Sequence, residues 1–287
     1  MLYRTTHVTR YLYEEPVSQC LSEARLTPRS LDTQVVHEAR IEVDPKPVSL
    51  DQRKDYFGNG VSTFTVFQMH DRFTTTASSL VEVTSRPQQD LPAVTWTEVR
   101  DVLVEHADGE SLQAYEFIFD SPYVAAHPRL AEYGGATFSS ERPLVEAVLD
   151  LSHRIHAEFR YKPKSTSIDM PLIEVLRQRQ GVCQDFAHLM IGVLRSFGLA
   201  ARYVSGYLRS GAKYQGAEAS HAWVAVFVPG YGWLNIDPTN DVVPAEGHVT
   251  VAWGRDYGDV TPVKGIALGG GAQTVQVEVR VEPVPSG

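Results

Sequence analysis

The chain has 287 residues, of which 43% are hydrophobic and 21% are charged, which is a usual composition for a globular protein with a sizeable core. Its formal net charge of -9 argues against sequence-independent nucleic-acid binding, which depends on Lys and Arg side chains that neutralise phosphates. The length predicts about two domains.

The opening residues, MLYRTTHVTRYLYEEPV, alternate polar and apolar side chains and lack the apolar core of a signal peptide. No stretch of about 18 apolar residues that could span a membrane follows. The two cysteines, Cys20 and Cys183, do not form the spacing pattern of a disulfide framework. We therefore expect a cytoplasmic protein with reduced thiols and with neither nucleic-acid nor membrane partners.

Residues 1–87 are predicted to form an N-terminal β-sandwich-like domain of antiparallel strands. The segments TTHVTRYLY, EARIEVDPKP, GVSTFTVFQM and SSLVEVTSRP have strand character and are bounded by Pro, Gly, Asn or Asp. Phe57–Gly60 (FGNG) predicts a turn. Cys20 falls in the loop-like segment EEPVSQCLSEARLTPR, where no candidate base is near in sequence. It is interpreted as structural or incidental, and the region contains no chemical motif.

Residues 88–140 are predicted to be a linker followed by a helical segment. Arg86–Trp96 (RPQQDLPAVTW) is polar and contains two prolines, as expected of a linker. Helical periodicity is present in WTEVRDVLVEH and, further along the chain, in RPLVEAVLDLSHRIHAEF and PLIEVLRQRQG. For the last of these helices, Asp169 is the predicted N-cap and Gly181 the predicted stop.

Residues 141–287 are predicted to be a catalytic core in which helices come first and an antiparallel sheet follows. The strand-like segments are ARYVSGYL, SHAWVAVFV and GWLNID. A glycine-rich loop, Leu268–Gly271, precedes a last strand, TVQVEVRVEP, which is assigned to the same core. The predicted fold class is therefore α+β.

Cys183 begins an apolar helix immediately after the predicted stop at Gly181. Unpaired N–H groups and the positive end of the helix dipole favour an anion in the first helical turn. Cysteine pKa values fall to roughly 3.5–7.5 in such settings, above all beside a protonated histidine. A buried, unreactive thiol is the competing interpretation, since free cysteines are often buried.

His221 and Asp237 favour the reactive interpretation of Cys183. His221 begins one predicted strand, Asp237 ends the next, and the turn-rich loop Pro229–Gly232 joins the two strands. In a hairpin with this loop near its midpoint, the two side chains meet at the same end. A carboxylate there can accept a hydrogen bond from one imidazole nitrogen, so that the other nitrogen faces a thiol.

The segments GVCQDFAHLMIGVLRSFGLAARYVSGYL, ASHAWVAVFVPGYGWLNIDPTN and VAWGRDYGDVTPVKG resemble the bacterial transglutaminase-like family, a branch of the papain-like cysteine-enzyme superfamily. HVTRYLYEEPVSQ, RLTPR and DYFGNGVSTF resemble the N-terminal β domain of that family. The resemblance covers nearly the whole chain. It implies a nucleophile helix packed on an antiparallel sheet, with Cys183 as nucleophile, His221 as general base and acid, and Asp237 as the residue that orients His221.

Other candidate site residues have weaker support. The backbone N–H of Cys183 is the first predicted donor to an oxyanion, and by resemblance Tyr161 is a candidate for the second. Gln184 is a candidate for polarising the carbonyl or lining the site. Asp185 is expected to offset the helix dipole and tie down a loop, and Trp223 to wall the cleft beside His221.

Two further features have both a structural and a functional interpretation. His188 is interpreted mainly as a packed or hydrogen-bonded histidine. The loop Arg255–Tyr257 could shape the side of the cleft that receives a second substrate, or it could be structural.

The leading hypothesis is an enzyme that attacks amide bonds of a protein or peptide through a Cys183 thioester, as a peptidase or amidase or as a transamidase. The alternative is a catalytically silent binding scaffold of the same fold. A zinc site formed by Cys183, His188, His221 and Asp237 lacks paired ligand spacing. A nucleotide site at Gly269–Gly271 lacks the other residues of a phosphate loop. No cofactor or metal is expected, and the oligomeric state stays open, with a homo-oligomer as one option.

Overall fold

The computed structural model describes residues 1–85, 91–106, 108–139, 141–163, 170–211, 214–217 and 219–285. These residues form two antiparallel sheets and a group of helices, so the predicted α+β class is confirmed. The strands are β1 (Leu2–Thr27), β2 (Gln34–Asp44), β3 (Ser49–Lys54), β4 (Gly60–Val66), β5 (His70–Val83), β6 (Arg160–Tyr161), β7 (Gln180–Gly181), β8 (Ala201–Leu208), β9 (His221–Val228), β10 (Gly232–Ile236), β11 (His248–Gly254), β12 (Val263–Gly269) and β13 (Gln273–Pro283). The helices are α1 (Trp96–Glu105), α2 (Gly109–Tyr115), α3 (Pro128–Gly134), α4 (Leu144–Glu158), α5 (Leu172–Gln178), α6 (Cys183–Ser196) and α7 (Tyr257–Val260). None of the helices in these ranges is long and apolar enough to cross a membrane.

The long strand β1 organises the N-terminal sheet, whose order is β2-β5-β1-β4-β3. Its first half pairs with β5 on one edge and β13 on the other, and its second half pairs with β4 and β12. The two parts of the sheet, each built on one half of β1, enclose a small apolar core. In this core Phe64 of β4 stacks on Phe73 of β5, with the ring centroids 5.8 Å apart. The sheet is therefore sandwich-like, because one strand is shared by both halves.

The C-terminal strand does not lie where the sequence suggested. β13 pairs with the first half of β1, and β12, which was not predicted as a strand, pairs with the second half. The assignment of β13 to the catalytic core is therefore wrong. Alternation identifies a strand, whereas its partner is decided by long-range packing that no local pattern contains.

Cys20 also differs from its predicted setting. It lies within β1 and is only 2% exposed, and burial raises the pKa of its thiol. The segment looks loop-like because Glu14, Glu15 and Pro16 interrupt the strand pattern, and the pairing with β5 shifts register at this point. The interpretation of Cys20 as a structural or incidental residue is consistent with this buried position.

The predicted turn at Phe57–Gly60 is confirmed between β3 and β4. Asp55 accepts hydrogen bonds from the backbone N–H groups of Phe57 and Asn59, and Gly58 has a φ of 75°. A side chain at that φ would be strained, which explains the glycine.

The predicted helices α1, α4, α5 and α6 are present, with one change at a terminus. Helix α5 ends through Arg179, which adopts a left-handed φ of 53°, and Gly181 instead belongs to the short strand β7. The predicted N-cap Asp169 lies outside the described residues, as do residues 86–90 of the predicted linker.

The second sheet has the order β10-β9-β8-β11, and α6 packs against β8 and β9. β11 is an edge strand whose free backbone groups need partners. Gln34 exchanges two hydrogen bonds of 2.7 and 2.8 Å with the backbone of Thr250. Asn59 does the same for Trp253, at 2.8 and 3.0 Å. Two amide side chains of the N-terminal sheet thus cover this edge and join the two sheets.

Candidate active site

Cys183 is the first residue of α6 and is held there by the turn that precedes the helix. Gly181 pairs with Tyr161 in the β6–β7 ladder, and the N–H of Val182 donates a 2.8 Å hydrogen bond to Asp185. A Cβ on Gly181 would lie 2.7 Å from an oxygen of Asp185, so glycine leaves room for this carboxylate. Cys183 is 9% exposed and lines a cleft, while most of the other residues of α6 are buried.

His221 and Asp237 meet at the same end of the β9–β10 hairpin, as the sequence predicts. β9 and β10 pair in an antiparallel hairpin, with Ile236 opposite Val224. Nε2 of His221 donates to Asp237 across 2.9 Å, and both residues are almost completely buried.

The Asp237 carboxylate is surrounded by donors. One oxygen accepts hydrogen bonds from His221, from His248 at 3.1 Å and from the Asn240 amide at 2.8 Å. The other accepts from the backbone N–H groups of Thr239 and Asn240 at 3.0 and 3.2 Å. Burial alone would raise the pKa of Asp237, but the interactions with His221 and His248 outweigh it and lower that pKa. The group is therefore a fixed negative charge behind His221.

His221 carries the complementary charge. Burial alone would lower the pKa of His221, but the Asp237 carboxylate and ionised Cys183 outweigh it and raise that pKa to about 10. Its Nδ1 atom is buried and is not the nitrogen that Asp237 holds. Because Nε2 is occupied by Asp237, Nδ1 is the nitrogen able to exchange a proton with Cys183.

Both sheets contribute to the cleft that contains Cys183 and His221, which has a volume of about 340 Å³. Tyr203 and Ser205 of β8 line it from the second sheet. The N-terminal sheet supplies the opposite wall, through the side chains of His7, Thr9, Tyr11, Val263, Val275 and Val277. The N-terminal sheet therefore forms part of the candidate site and is not merely a domain attached to it.

Comparisons with known proteins identify the family. Residues 3–82 match the bacterial transglutaminase-like N-terminal region, and residues 132–238 match the transglutaminase-like superfamily. The chain is 37% identical to an uncharacterized protein of Mycobacterium tuberculosis over 99% of this chain and 92% of that protein. It is 38% identical to one of Mycobacterium leprae over 97% of both chains. The chain belongs to the transglutaminase-like superfamily. The family predicted from sequence is confirmed, and it is a family of thiol-dependent enzymes.

The chain also resembles two other proteins, one in its fold and one in part of its sequence. A "Putative Cysteine Protease from Cytophaga hutchinsonii" has the same fold, with a TM-score of 0.76 and 22% identity over 100% of this chain and 92% of that chain. A protein-glutamine gamma-glutamyltransferase of Pseudomonas aeruginosa is 35% identical over 114 residues, which are 35% of this chain and 16% of that protein.

Tyr161 and Gln184 line the cleft of this transglutaminase-like chain, where the sequence predicted them. Burial, followed by the nearby charges of Cys183 and Asp237, raises the pKa of Tyr161 to about 12. The phenol therefore stays protonated at neutral pH and can donate a hydrogen bond.

Trp223 and Asp185 do not line the cleft. Trp223 stacks behind His221 with ring centroids 6.3 Å apart and packs on the outer face of the second sheet, so its prediction as a cleft wall is wrong. Strand alternation places both side chains on one face, but only His221, at the strand end, reaches the cleft. Asp185 is buried and accepts a hydrogen bond from the backbone N–H of Val182, in the turn before α6.

His188 and the loop Arg255–Tyr257 form a packed support beside the cleft. The N–H of Tyr257 donates to His188 at 3.1 Å, and burial, followed by the charge of Arg195, lowers the pKa of His188 to about 3. Asp256 accepts hydrogen bonds from Tyr123 and Gly258, and Arg255 pairs with Asp259. Tyr257 also lines the cleft. In the described ranges, no three His, Cys, Asp or Glu side chains are placed to hold a metal ion.

Sequence reasoning missed His248, Asn240 and the contribution of the N-terminal sheet. His248 begins β11 just as His221 begins β9, and both strands flank β8, so a second strand-opening histidine was an available signal. Asn240 follows Asp237 within one turn, a common position for a side chain that caps a carboxylate. Nothing local in β1 marks His7 or Tyr11 as cleft residues.

Proposed function

We propose that the chain is a thiol-dependent acyl-transfer enzyme that cleaves an amide bond through a thioester on Cys183. The observation that supports this best is the shared cleft: Cys183, at the start of α6, lines it together with His221, which Asp237 holds through Nε2. A cysteine at a helix N-terminus beside a protonated histidine is the setting in which thiols become nucleophilic.

In the proposed reaction, the Cys183 sulfur attacks the carbonyl carbon of an amide and a tetrahedral oxyanion forms. When it collapses, the C–N bond breaks and protonated His221 gives its proton to the departing amine. A thioester remains on Cys183. Water, deprotonated by His221, then releases a carboxylate, or a second amine attacks and forms a new amide. Asp237 keeps the ring oriented throughout and stabilises it in the steps in which it is protonated.

Two donors are available for the oxyanion. The backbone N–H of Cys183 lies in the first turn of α6, where it has no partner within the helix. The protonated hydroxyl of Tyr161 is the second, because its residue lines the same cleft. Donors aimed at developing charge are commonly the largest single contribution to such catalysis.

The substrate we propose is a protein or peptide amide. Val263, Val275 and Val277 give one wall of the cleft an apolar surface that suits a side chain or an extended peptide. The two similar proteins described above are named as a cysteine protease and a protein-glutamine gamma-glutamyltransferase, and the same thioester serves both reactions. A cytoplasmic location stays a prediction from the sequence.

The test is a screen of blocked, glutamine-containing peptides with and without a fluorescent primary amine, followed by mass spectrometry of the peptides and of the protein. We expect peptide cleavage, deamidation or amine incorporation, together with an acyl adduct on Cys183. The Cys183→Ala variant should lose all of these, and Cys20→Ala should retain them. A wild-type protein that forms neither product nor adduct with any peptide would instead support the silent binding scaffold.

A further inference from the structure

A second cavity lies on the outer face of the second sheet, the face opposite α6. Its volume is about 480 Å³, within the range of small-molecule sites. Trp223, Trp233 and Trp253 line it from the second sheet. The N-terminal part of the chain contributes the ranges 30–34 and 83–85. The cavity thus lies between the second sheet and these two ranges and does not include Cys183.

Arg202 of β8 is the notable charge in this cavity. Its guanidinium lies 4.1 Å from the ring centre of Trp233 and 3.7 Å from that of Trp253. Its Nε is buried, and no residue in the described ranges accepts a hydrogen bond from it or forms an ion pair with it. Both faces of the guanidinium group therefore contact aromatic rings. Its N–H edge, where only Nε is fully buried, has no hydrogen-bond partner among the described residues.

The electrostatic surroundings of Arg202 are unfavourable for an unpaired cation. Burial, followed by the positive charge of nearby Arg29, lowers the pKa of Arg202. Arg29 itself lies 3.5 Å over the ring of Trp253. Arg202 is partly buried, and a partly desolvated charge without a counter-ion is costly, so such groups are normally paired.

We propose that this cavity binds a small organic carboxylate, whose two oxygens pair with the N–H edge of Arg202 and whose apolar body lies among the tryptophan rings. The planar guanidinium edge offers parallel donors that match a carboxylate. Val243 and Pro244 extend the apolar lining.

A phosphate fits this cavity less well. Among the described residues that line it, Arg202 is the only Arg or Lys, and Asp32 adds a carboxylate. His248 also lines the cavity, but burial lowers its pKa against the opposing pull of Asp237, so it stays neutral at neutral pH. One positive charge facing an apolar wall suits a monoanion that carries an apolar group better than a dianion, which needs several donors.

The experiment uses the intrinsic fluorescence of the full chain, because three of its four tryptophans line the cavity. Phenylacetate, its neutral amide phenylacetamide and inorganic phosphate are titrated in turn. We expect phenylacetate to change the emission saturably and to bind at least about tenfold more tightly than phenylacetamide or phosphate. Arg202→Met should weaken phenylacetate binding by about tenfold or more, and Arg202→Lys by less.

The matched control is Arg100→Gln, which removes a guanidinium that lies over Trp96, outside the cavity. It should leave phenylacetate binding unchanged. Equal binding of phenylacetate and phenylacetamide, tighter binding of phosphate, or unchanged phenylacetate binding by Arg202→Met would each overturn the proposal. If Arg202→Met does not fold, the comparison of the charged and neutral probes on the wild-type chain still decides. None of these readouts requires the acyl-transfer activity.

Discussion

Replacing Asp237 by Asn is expected to slow the alkylation of Cys183 by iodoacetamide at about pH 6.5 by at least about tenfold. The carboxylate is the main interaction that raises the pKa of His221 against the opposing effect of burial. Without it, burial favours neutral imidazole, and Cys183 loses the cation that stabilises its thiolate. The measurement is the labelling rate by mass spectrometry in a Cys20→Ser background.

Asp55→Asn is the matched control for that variant. Asp55 also accepts several hydrogen bonds, from Arg25, Asn59 and the backbone of Phe57, but it lies in the N-terminal sheet away from the cleft. The Asp55→Asn substitution should lower the free energy of unfolding without changing the rate at which Cys183 is labelled. Equal labelling of the wild type and Asp237→Asn at about pH 6.5 would show that the carboxylate does not activate the thiol.

Gly206→Ala is expected to destabilise the protein by about 3 kcal/mol and to disturb the site. A Cβ at this position would lie 2.2 Å from the carbonyl oxygen of Val249 and 2.4 Å from the Trp223 ring. The neighbouring strand β11 cannot move without breaking its pairing, and Trp223 stacks on His221. Denaturant unfolding measures the stability, and Cys183 labelling reports the site.

Gly109→Ala is the comparison for this substitution. Gly109 begins α2, and a Cβ there meets no atom within 4 Å. Its free energy of unfolding should stay within about 0.5 kcal/mol of the wild type. A loss in Gly206→Ala no larger than that in Gly109→Ala would contradict the close packing of Gly206 against Val249 and Trp223.

The sequence predicts which residues come together at the candidate site, because each part of that site has a local signal. A glycine-flanked apolar helix locates Cys183, and a hairpin with a short turn fixes which residues of β9 and β10 meet. His221 and Asp237 lie just beyond these paired residues, at the same end of the hairpin. Binary patterning also identifies β1, β4 and β5 of the N-terminal sheet, because buried and more exposed residues alternate along much of each strand.

The remaining features depend on long-range contacts. The pairing of β12 and β13 with β1 joins residues at least 239 positions apart, as with Ala24 and Val263, and no local pattern selects that partner. The wall formed by His7 and the valines of β13 follows from this pairing. The cavity at Arg202 depends on another long-range contact, which brings residues 30–34 and 83–85 to the second sheet. His248 reaches Asp237 only because β11 lies beside β8.

The most direct test of the account is the rate of Cys183 alkylation against pH, in the Cys20→Ser background with and without His221→Ala. Because the pKa of His221 is raised to about 10, the imidazolium persists through neutral pH and is lost only as the pH rises through that value. We therefore predict rapid labelling below about pH 8, and a marked loss of this labelling in His221→Ala. Labelling that becomes rapid only near about pH 8.5, as for an ordinary thiol, and that does not change in His221→Ala would contradict activation of Cys183 by the His221–Asp237 pair.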